Sequence, residues 1–166
     1  MNKLITLFLM TTLLFSTPNE WAMDTAWNNA TDEQRFNMSC EYKARACGLT
    51  EEEFIFFARV VEAESDRSRS MDGKIHIAAV ILNRVRSDSF PDTVTGVLTQ
   101  SGQFEVVSNG WCSIASTPES EWAIIEAYKA LDAEEIPSNL LYFNCIGFSS
   151  WNYDYAYIDG NYFSCG

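Results

Sequence analysis

Apolar residues recur at helical spacing through the first two thirds of the chain. The stretch 54–61 is apolar on nearly every side, which predicts a helix buried on most faces. From Ile75 onward, apolar side chains follow at positions i+3, i+4, i+7 and i+10, the spacing of one helix face. Both segments are expected to build the hydrophobic core.

Threonine residues mark where several helices begin. Thr31 and Thr50 each open a capping-box sequence, in which a side chain three residues later returns a hydrogen bond. Thr117 precedes a proline at the first helical position, another start signal. The predicted helices are 31–46, 51–65, 74–86, 93–99 and 118–135.

The last 27 residues differ in composition from the rest of the chain, since they hold nine of its 23 aromatic residues. Asp159-Gly160 predicts a tight hairpin turn between strands over 155–158 and 161–164. Ser, Gly and Asn recur through 100–116, so this stretch is expected to be irregular or partly β. The pattern predicts a mainly helical α+β fold, in one domain with a small C-terminal β element.

The N-terminus has the pattern of a secretory signal. Lys3 is followed by an uncharged, mostly apolar stretch over 4–15, which is too short to cross a bilayer as a helix. We expect 1–22 to be a signal peptide, 23–49 an N-terminal extension with the first helix, and 50–166 the main domain. The alternative is a buried N-terminal helix. The signal predicts a secreted, extracellular or wall-associated protein without stable membrane insertion.

Charge and composition narrow the range of possible ligands. Lys and Arg total 11 against 23 acidic residues, a formal charge of −12, which argues against nucleic acid or anionic lipid as a partner. An acidic protein with 14% aromatic residues fits a neutral polar ligand such as a sugar. A single His in the chain excludes a multi-His metal site, and we expect neither metal nor cofactor.

Five cysteines would mature in an oxidising compartment if the signal interpretation holds. The number is odd, so at least one thiol stays free or pairs between chains; otherwise we expect a monomer. The pairings expected first are Cys145 with Cys165, which flank the aromatic tail, and Cys40 with Cys47.

Two carboxylates close the helix predicted over 51–65. Glu64 falls at the edge of its apolar stripe, and burial there would raise the pKa of the carboxyl, as a general acid at neutral pH requires. The alternative is that Glu62 and Glu64 only cap the helix or pair with a nearby arginine, the candidates being Arg59, Arg67 and Arg69.

Several motifs occur in one order along residues 54–163. They are ARVVEAE (58–64), GKIHIAAVILNRV (73–85), FPDTVTGV (90–97), GQF (102–104), LYF (141–143) and GNYF (160–163). In this order they resemble the cell-wall hydrolase family of spore cortex-lytic enzymes. The resemblance implies a lysozyme-like, goose-type transglycosylase-like fold, with 50–166 as the catalytic domain.

The same resemblance implies roles for five residues. Glu64 occupies the position of the family's catalytic acid/base, while Gln103 and Phe104 match a motif that lines the cleft. Tyr142 and Tyr162 would stack on sugar rings. The residues alone allow an equally good explanation, in which Gln103 is an exposed loop residue and Phe104 belongs to the core. The two tyrosines would then be ordinary half-buried strand residues.

Peptidoglycan glycan strands are the substrate that the resemblance implies. We expect a lytic transglycosylase that cuts the bond from muramic acid to N-acetylglucosamine with one Glu as acid and then base. One alternative is a hydrolytic muramidase with a second carboxylate, for which Glu105 is the main candidate and Asp66 and Asp154 are others. Another is a non-catalytic sugar-binding wall protein of the same fold.

Overall fold

The computed structural model describes residues 18–65, 70–110 and 113–166, with only the backbone described over 18–21. The apolar stretch 4–15 of the predicted signal peptide lies outside the described residues. The helices are Pro18–Asn29 (α1), Asp32–Phe36 (α2), Cys40–Ala46 (α3), Glu51–Glu64 (α4), Met71–Arg86 (α5), Val94–Leu98 (α6), Glu105–Ser108 (α7) and Pro118–Asp132 (α8). The strands are Leu140–Asn144 (β1), Tyr153–Ile158 (β2) and Asn161–Cys165 (β3).

Helices α4 and α5 form the centre of the core, as their apolar patterns predict. Phe54, Phe57 and Val61 of α4 are fully buried, and so are Ile77 and Ile81 of α5. Helix α5 packs mainly against α8 and β1. The two helices therefore form a rigid base for whatever side chains they carry at their ends.

The starts of α4 and α5 follow from capping. The Thr50 side chain accepts a hydrogen bond from the Glu53 backbone, completing the predicted capping box. Helix α5 begins three residues before the predicted start at residue 74, because the Ser70 hydroxyl accepts from Gly73 N and caps it earlier.

The single helix predicted over 31–46 is wrong, because α2 and α3 are separate. The Asn37 side chain donates to the backbone carbonyl of Glu33 at 2.8 Å, ending α2, and Ser39 is extended with φ −64° and ψ 162°. A side chain that competes for backbone hydrogen bonds thus overrides the helical periodicity. Upstream, Asn28 and Asn29 are the last residues of α1.

The sheet has the order β1-β3-β2 with antiparallel neighbours. Asp159 and Gly160 have φ of 48° and 92°, the left-handed pair of a type I′ turn, so the predicted hairpin is confirmed. Phe143 pairs with Phe163 on the face that meets the helices. Tyr162, one residue before Phe163, therefore points to the opposite, outer face.

Residues 100–116 form turns and the short helix α7, and the described part of this stretch contains no strand. Gly102 has φ 76°, and Gln103 N donates to Gln100 O at 3.2 Å. The partly β alternative is therefore wrong and the irregular one is right, because a left-handed turn followed by one helical turn interrupts any extended run.

Neither expected disulfide forms. Leu140 pairs with Cys165, so Cys145 lies about five residues, or roughly 16 Å, along the ladder from it. Cys40 and Cys47 lie at opposite ends of α3, roughly 10 Å apart along its axis. Since a disulfide needs Cα atoms within about 7 Å, all four are free thiols in the structure. Cys112 lies outside the described residues.

A buried ion pair fastens the N-terminal helices to the rest of the fold. The Lys43 ammonium on α3 is 2% exposed and lies 2.8 Å from a carboxylate oxygen of Glu121 on α8. Cys40 and Ser116 also donate to Glu121. In the described parts of the chain, no helix is both long enough and apolar enough to span a bilayer.

Candidate active site

Glu62 is held in an ion pair. Its Oε2 accepts from Lys74 Nζ at 2.5 Å and from Thr117 Oγ1 at 2.6 Å. Burial pushes the pKa of Glu62 upward, but hydrogen bonds from Lys74 and Thr117 outweigh this and hold it below its ordinary value. Glu62 is therefore ionised, and it links α4 to the start of α5 and the N-cap of α8.

Glu64 has the opposite environment at the end of the same helix. It is half-buried, and burial together with the nearby negative charge of Glu105 raises its pKa from 4.5 to about 7. The positive charge of Arg84 opposes that rise. Near neutral pH, Glu64 thus exchanges between a neutral acid and a carboxylate, as a group that first donates and then accepts a proton must.

Arg84 lies beneath the site with its guanidinium enclosed by aromatic rings. The residue is 5% exposed, and its Cζ lies 5.0 Å from the ring centroid of Phe90, 5.4 Å from that of Phe104 and 5.9 Å from that of Tyr142. Its Nη1 is buried and finds no hydrogen-bond partner in the described chain. Arg84 is thus a fixed positive charge in a low-dielectric setting, from which it lowers the pKa of Glu64 against the larger effects of burial and Glu105.

Two consecutive residues of α5 hold strand β1 in place. Asn83 Nδ2 donates to the carbonyls of Pro137 and Leu140 at 2.9 and 3.0 Å. Arg84 Nε donates to the carbonyl of Leu141 at 2.8 Å. The Asn-Arg pair therefore fixes the strand that carries Tyr142.

The aromatic and amide candidates occupy different environments. Phe104 is 3% exposed and lies between Arg84 and the Phe143 ring, so its environment is that of a core residue supporting Arg84. Gln103 is exposed just before α7. Tyr142 is half-buried beside Arg84. Tyr162 is half-buried in a separate aromatic cluster on the outer face of the sheet.

The candidates for a second catalytic carboxylate lie at different places relative to Glu64. Glu105, the first residue of α7, is exposed and close enough to Glu64 to raise its pKa. Asp154 pairs with Ser164 in the sheet, and Asp66 lies outside the described residues. Of the candidates that the structure describes, Glu105 is therefore the carboxylate that the fold brings near Glu64.

Sequence reasoning missed the partners of Glu62. The alternative interpretation paired it with Arg59, Arg67 or Arg69, of which the last two lie outside the described residues. The partners that the structure describes are Lys74, twelve residues after Glu62, and Thr117 at the N-cap of α8. No local spacing connects these three residues, so only the packing of α4, α5 and α8 reveals them. In the described ranges, no group of three or more His, Cys, Asp or Glu side chains could hold a metal ion.

Residues 68–163 match the cell wall hydrolase family. The chain belongs to the cell wall hydrolase family. The match begins four residues after Glu64, so the role of Glu64 in this family member depends on its geometry and on the EAE motif.

Spore cortex-lytic enzymes are similar to part of this chain. A spore cortex-lytic enzyme from Bacillus cereus is 34% identical over 97 residues, which is 58% of this chain and 36% of the relative. The corresponding enzymes of Oceanobacillus iheyensis and Bacillus subtilis are 33% and 32% identical, again over 58% of this chain and over 34% and 31% of theirs. The chain thus matches about a third of the length of these relatives.

Solved catalytic domains show the same fold. The catalytic domain of the germination-specific lytic transglycosylase SleB from Bacillus anthracis is 28% identical, with a TM-score of 0.60 over 72% of this chain and 98% of that domain. The catalytic domain of the Bacillus cereus SleB protein is 29% identical with the same TM-score, over 70% and 91%. The mainly helical, lysozyme-like α+β fold expected from sequence is confirmed.

The cell wall hydrolase site thus has two carboxylates that differ in protonation near neutral pH, since Glu62 is ionised and Glu64 exchanges between its neutral and ionised forms. The ionised Glu62 is occupied by Lys74 and Thr117. Glu64 faces Arg84 and Glu105 through electrostatics only, and it has no hydrogen-bonding partner in the part of the chain that the structure describes. A proton donor for a leaving oxygen needs that freedom.

Proposed function

We propose that the chain is a lytic transglycosylase that cleaves peptidoglycan glycan strands between muramic acid and N-acetylglucosamine, with Glu64 as acid and then base. The observation that carries the proposal is the half-buried Glu64 carboxyl with its pKa raised to about 7. Membership in the cell wall hydrolase family and similarity to the SleB catalytic domains support the substrate class.

The reaction needs one proton carrier. Protonated Glu64 gives its proton to the glycosidic oxygen while the bond from that oxygen to C1 of muramic acid breaks. The Glu64 carboxylate then takes the proton of the muramic 6-hydroxyl, whose oxygen bonds to C1 and closes a 1,6-anhydro ring. No water is consumed, because the internal hydroxyl is already held near the reacting carbon.

Arg84 fits this cycle as an electrostatic support. A buried guanidinium stays protonated, so it favours the Glu64 carboxylate that forms in the first step. Glu105 has the opposite effect and favours the protonated acid of the resting enzyme. Burial, Glu105 and Arg84 together bring the pKa of Glu64 to about 7, a value that suits both proton donation in the first step and proton acceptance in the second.

Gln103 and Tyr142 complete the proposed substrate site. Gln103 is an exposed amide one residue from buried Phe104, where it can hydrogen-bond an N-acetyl group. Tyr142 beside Arg84 offers a ring for a sugar face. We place Phe104 under the site rather than against the ligand.

A hydrolytic mechanism is the second candidate, because Glu105 lies within electrostatic reach of Glu64. In that case Glu105 would activate a water molecule. Digesting purified peptidoglycan in ¹⁸O-water distinguishes the two. Unlabelled 1,6-anhydromuramic ends support the transglycosylase, whereas labelled reducing ends that disappear in Glu105→Gln establish the hydrolase.

We further propose that the protein acts outside the cytoplasm, where peptidoglycan lies. The signal-like stretch 4–15 motivates this proposal. Fractionation of cells expressing the full chain, with an antibody to the folded part, should find the protein outside the cytoplasm and shortened at its N-terminus. A full-length protein confined to the cytoplasm would contradict the proposal.

A further inference from the structure

The Tyr162 ring contacts two other aromatic rings on the outer face of the sheet. The Tyr162 ring lies 4.9 Å from Phe148 in an edge-on arrangement and 4.7 Å from Tyr157, as measured between ring centroids. Tyr157 is 61% exposed and Phe148 39% exposed. We call Phe148, Tyr157 and Tyr162 the aromatic platform. Exposed apolar clusters of this kind mark binding surfaces more often than single exposed residues do.

The platform continues the face that carries Tyr142. Tyr142 pairs with Ser164 and Asn144 pairs with Tyr162, with no irregularity between them, so Tyr142 and Tyr162 project from the same side of the sheet. Tyr157 then pairs directly with Tyr162 on the third strand. Tyr142 and the platform therefore lie on one side of the sheet, with the buried Ser164 between them on β3.

The chemistry of this region fits a sugar polymer better than an anionic one. Residues 130–166 contain five acidic side chains and no Lys or Arg. A phosphate polymer or an anionic membrane would be repelled. Tyrosine and phenylalanine rings can instead lie flat on the apolar C–H face of a pyranose. Asp154 is on the same outer face, paired with Ser164, and its carboxylate can accept hydrogen bonds from sugar hydroxyls.

From this geometry we propose that the aromatic platform binds sugar units of the glycan strand beyond those held beside Glu64. The proposal rests on the proposed function for its ligand. The platform would lengthen the contact between enzyme and strand, favouring insoluble, polymeric peptidoglycan over short fragments.

Tyr153 supplies a matched control. It lies on the same strand as Tyr157 and is even more exposed, at 78%. It pairs with Cys165, three residues from Tyr162, so it belongs to the other side of the sheet. Removing the Tyr153 ring deletes an aromatic side chain that is more exposed than either Tyr157 or Phe148, without touching the platform.

The test measures binding to insoluble peptidoglycan in the Glu64→Gln background, where turnover does not remove the ligand. Adding Phe148→Ala and Tyr157→Ala together should weaken binding about three- to tenfold, while adding Tyr153→Ala should leave it unchanged. Thermal unfolding of each variant checks that the fold persists. Unchanged binding in the double variant, or an equal loss with Tyr153→Ala, would overturn the proposal.

Two further measurements test whether something other than a glycan strand occupies the aromatic platform. Binding to uncharged lipid vesicles, or self-association in sedimentation, that disappears in the double variant would assign the platform to a membrane or to a second copy, and would overturn the glycan assignment. Failure of the proposed function has a different signature: the wild-type chain would release no muropeptides, whatever the platform variants bind.

Discussion

Lys74 Nζ lies 2.5 Å from Glu62 Oε2. This contact gives Glu62 a different environment from Glu64, which is only two residues away. Glu62 accepts hydrogen bonds from Lys74 and Thr117 and stays ionised. Among the described residues Glu64 has no such donors, and burial raises its pKa. One carboxylate therefore holds three helices together, and the other is available for chemistry.

Glu64→Gln should remove glycan cleavage, by about 10²- to 10⁴-fold or more, because an amide of the same shape neither donates nor accepts the proton. The measurement is the rate of muropeptide release from purified peptidoglycan. Glu62→Gln is the matched variant, and it should instead lower the free energy of unfolding by about 1–3 kcal/mol, since Lys74 loses its partner. Loss of cleavage in a folded Glu62→Gln protein, with activity kept in Glu64→Gln, would reverse the assignment.

The same substitution should change how stability depends on pH. Between pH 4.5 and about 7 folded wild type keeps the Glu64 proton that the unfolded chain has lost, so its stability falls as pH rises through that window. Glu64→Gln has no such loss. It should match wild type near pH 4 and exceed it above pH 7 by about 2–3 kcal/mol, as measured by urea unfolding at several pH values. Parallel pH dependences of the two proteins would show that Glu64 has an ordinary pKa when folded.

Glu105→Gln should move the pH profile of cleavage. Removing the Glu105 charge lowers the pKa of Glu64, because that charge is one of its two raising influences. Activity depends on protonated Glu64, so the decline of kcat/KM at high pH should begin at lower pH, with substantial cleavage retained. An inactive Glu105→Gln protein with an intact fold would instead identify Glu105 as a catalytic base.

Arg84→Met should have the opposite effect on that profile. Without the guanidinium, the pKa of Glu64 rises, so the decline should begin at higher pH while kcat falls, because the carboxylate formed in the reaction loses its support. Arg84→Lys keeps the charge and should restore the profile in part. A drop in activity with an unmoved pH profile in both variants would mean that Arg84 acts only by holding β1.

Lys43→Ala should loosen the N-terminal helices. The ammonium is buried against Glu121, and removing one partner of a buried pair leaves the other uncompensated, at a cost of about 3 kcal/mol. Limited proteolysis should then cut within 18–49 faster than in wild type. Lys129→Ala is the control, since Lys129 is 41% exposed and should change the cutting little.

Thiol labelling of the native protein checks the cysteines. Cys145 is exposed and should react first, whereas burial raises the pKa of Cys47 far above its usual value and should make it slow. Mass analysis without reductant should find no peptide that joins Cys145 to Cys165. Recovery of that cross-linked peptide would mean that the pairing of β1 with β3 differs from the one described.

The local features of this protein are predictable from residues a few positions apart. Capping at Thr50 and Thr117, the apolar run of α4 and the Asp159-Gly160 turn depend on neighbours within a few residues, so periodicity and turn chemistry predict them. The resemblance of the ordered motifs gave the family and singled out Glu64. The break at Asn37 escaped prediction, because one side-chain hydrogen bond competed with a weak helical pattern.

Which charged side chains meet depends on how distant segments pack together. Lys74 and Thr117 reach Glu62 from different helices, and Glu105 and Arg84 act on Glu64 from segments far apart in sequence. The register of β1 with β3 separated Cys145 from Cys165. A pKa or a disulfide depends on distances of a few ångströms between distant segments, and packing sets those distances where sequence spacing cannot.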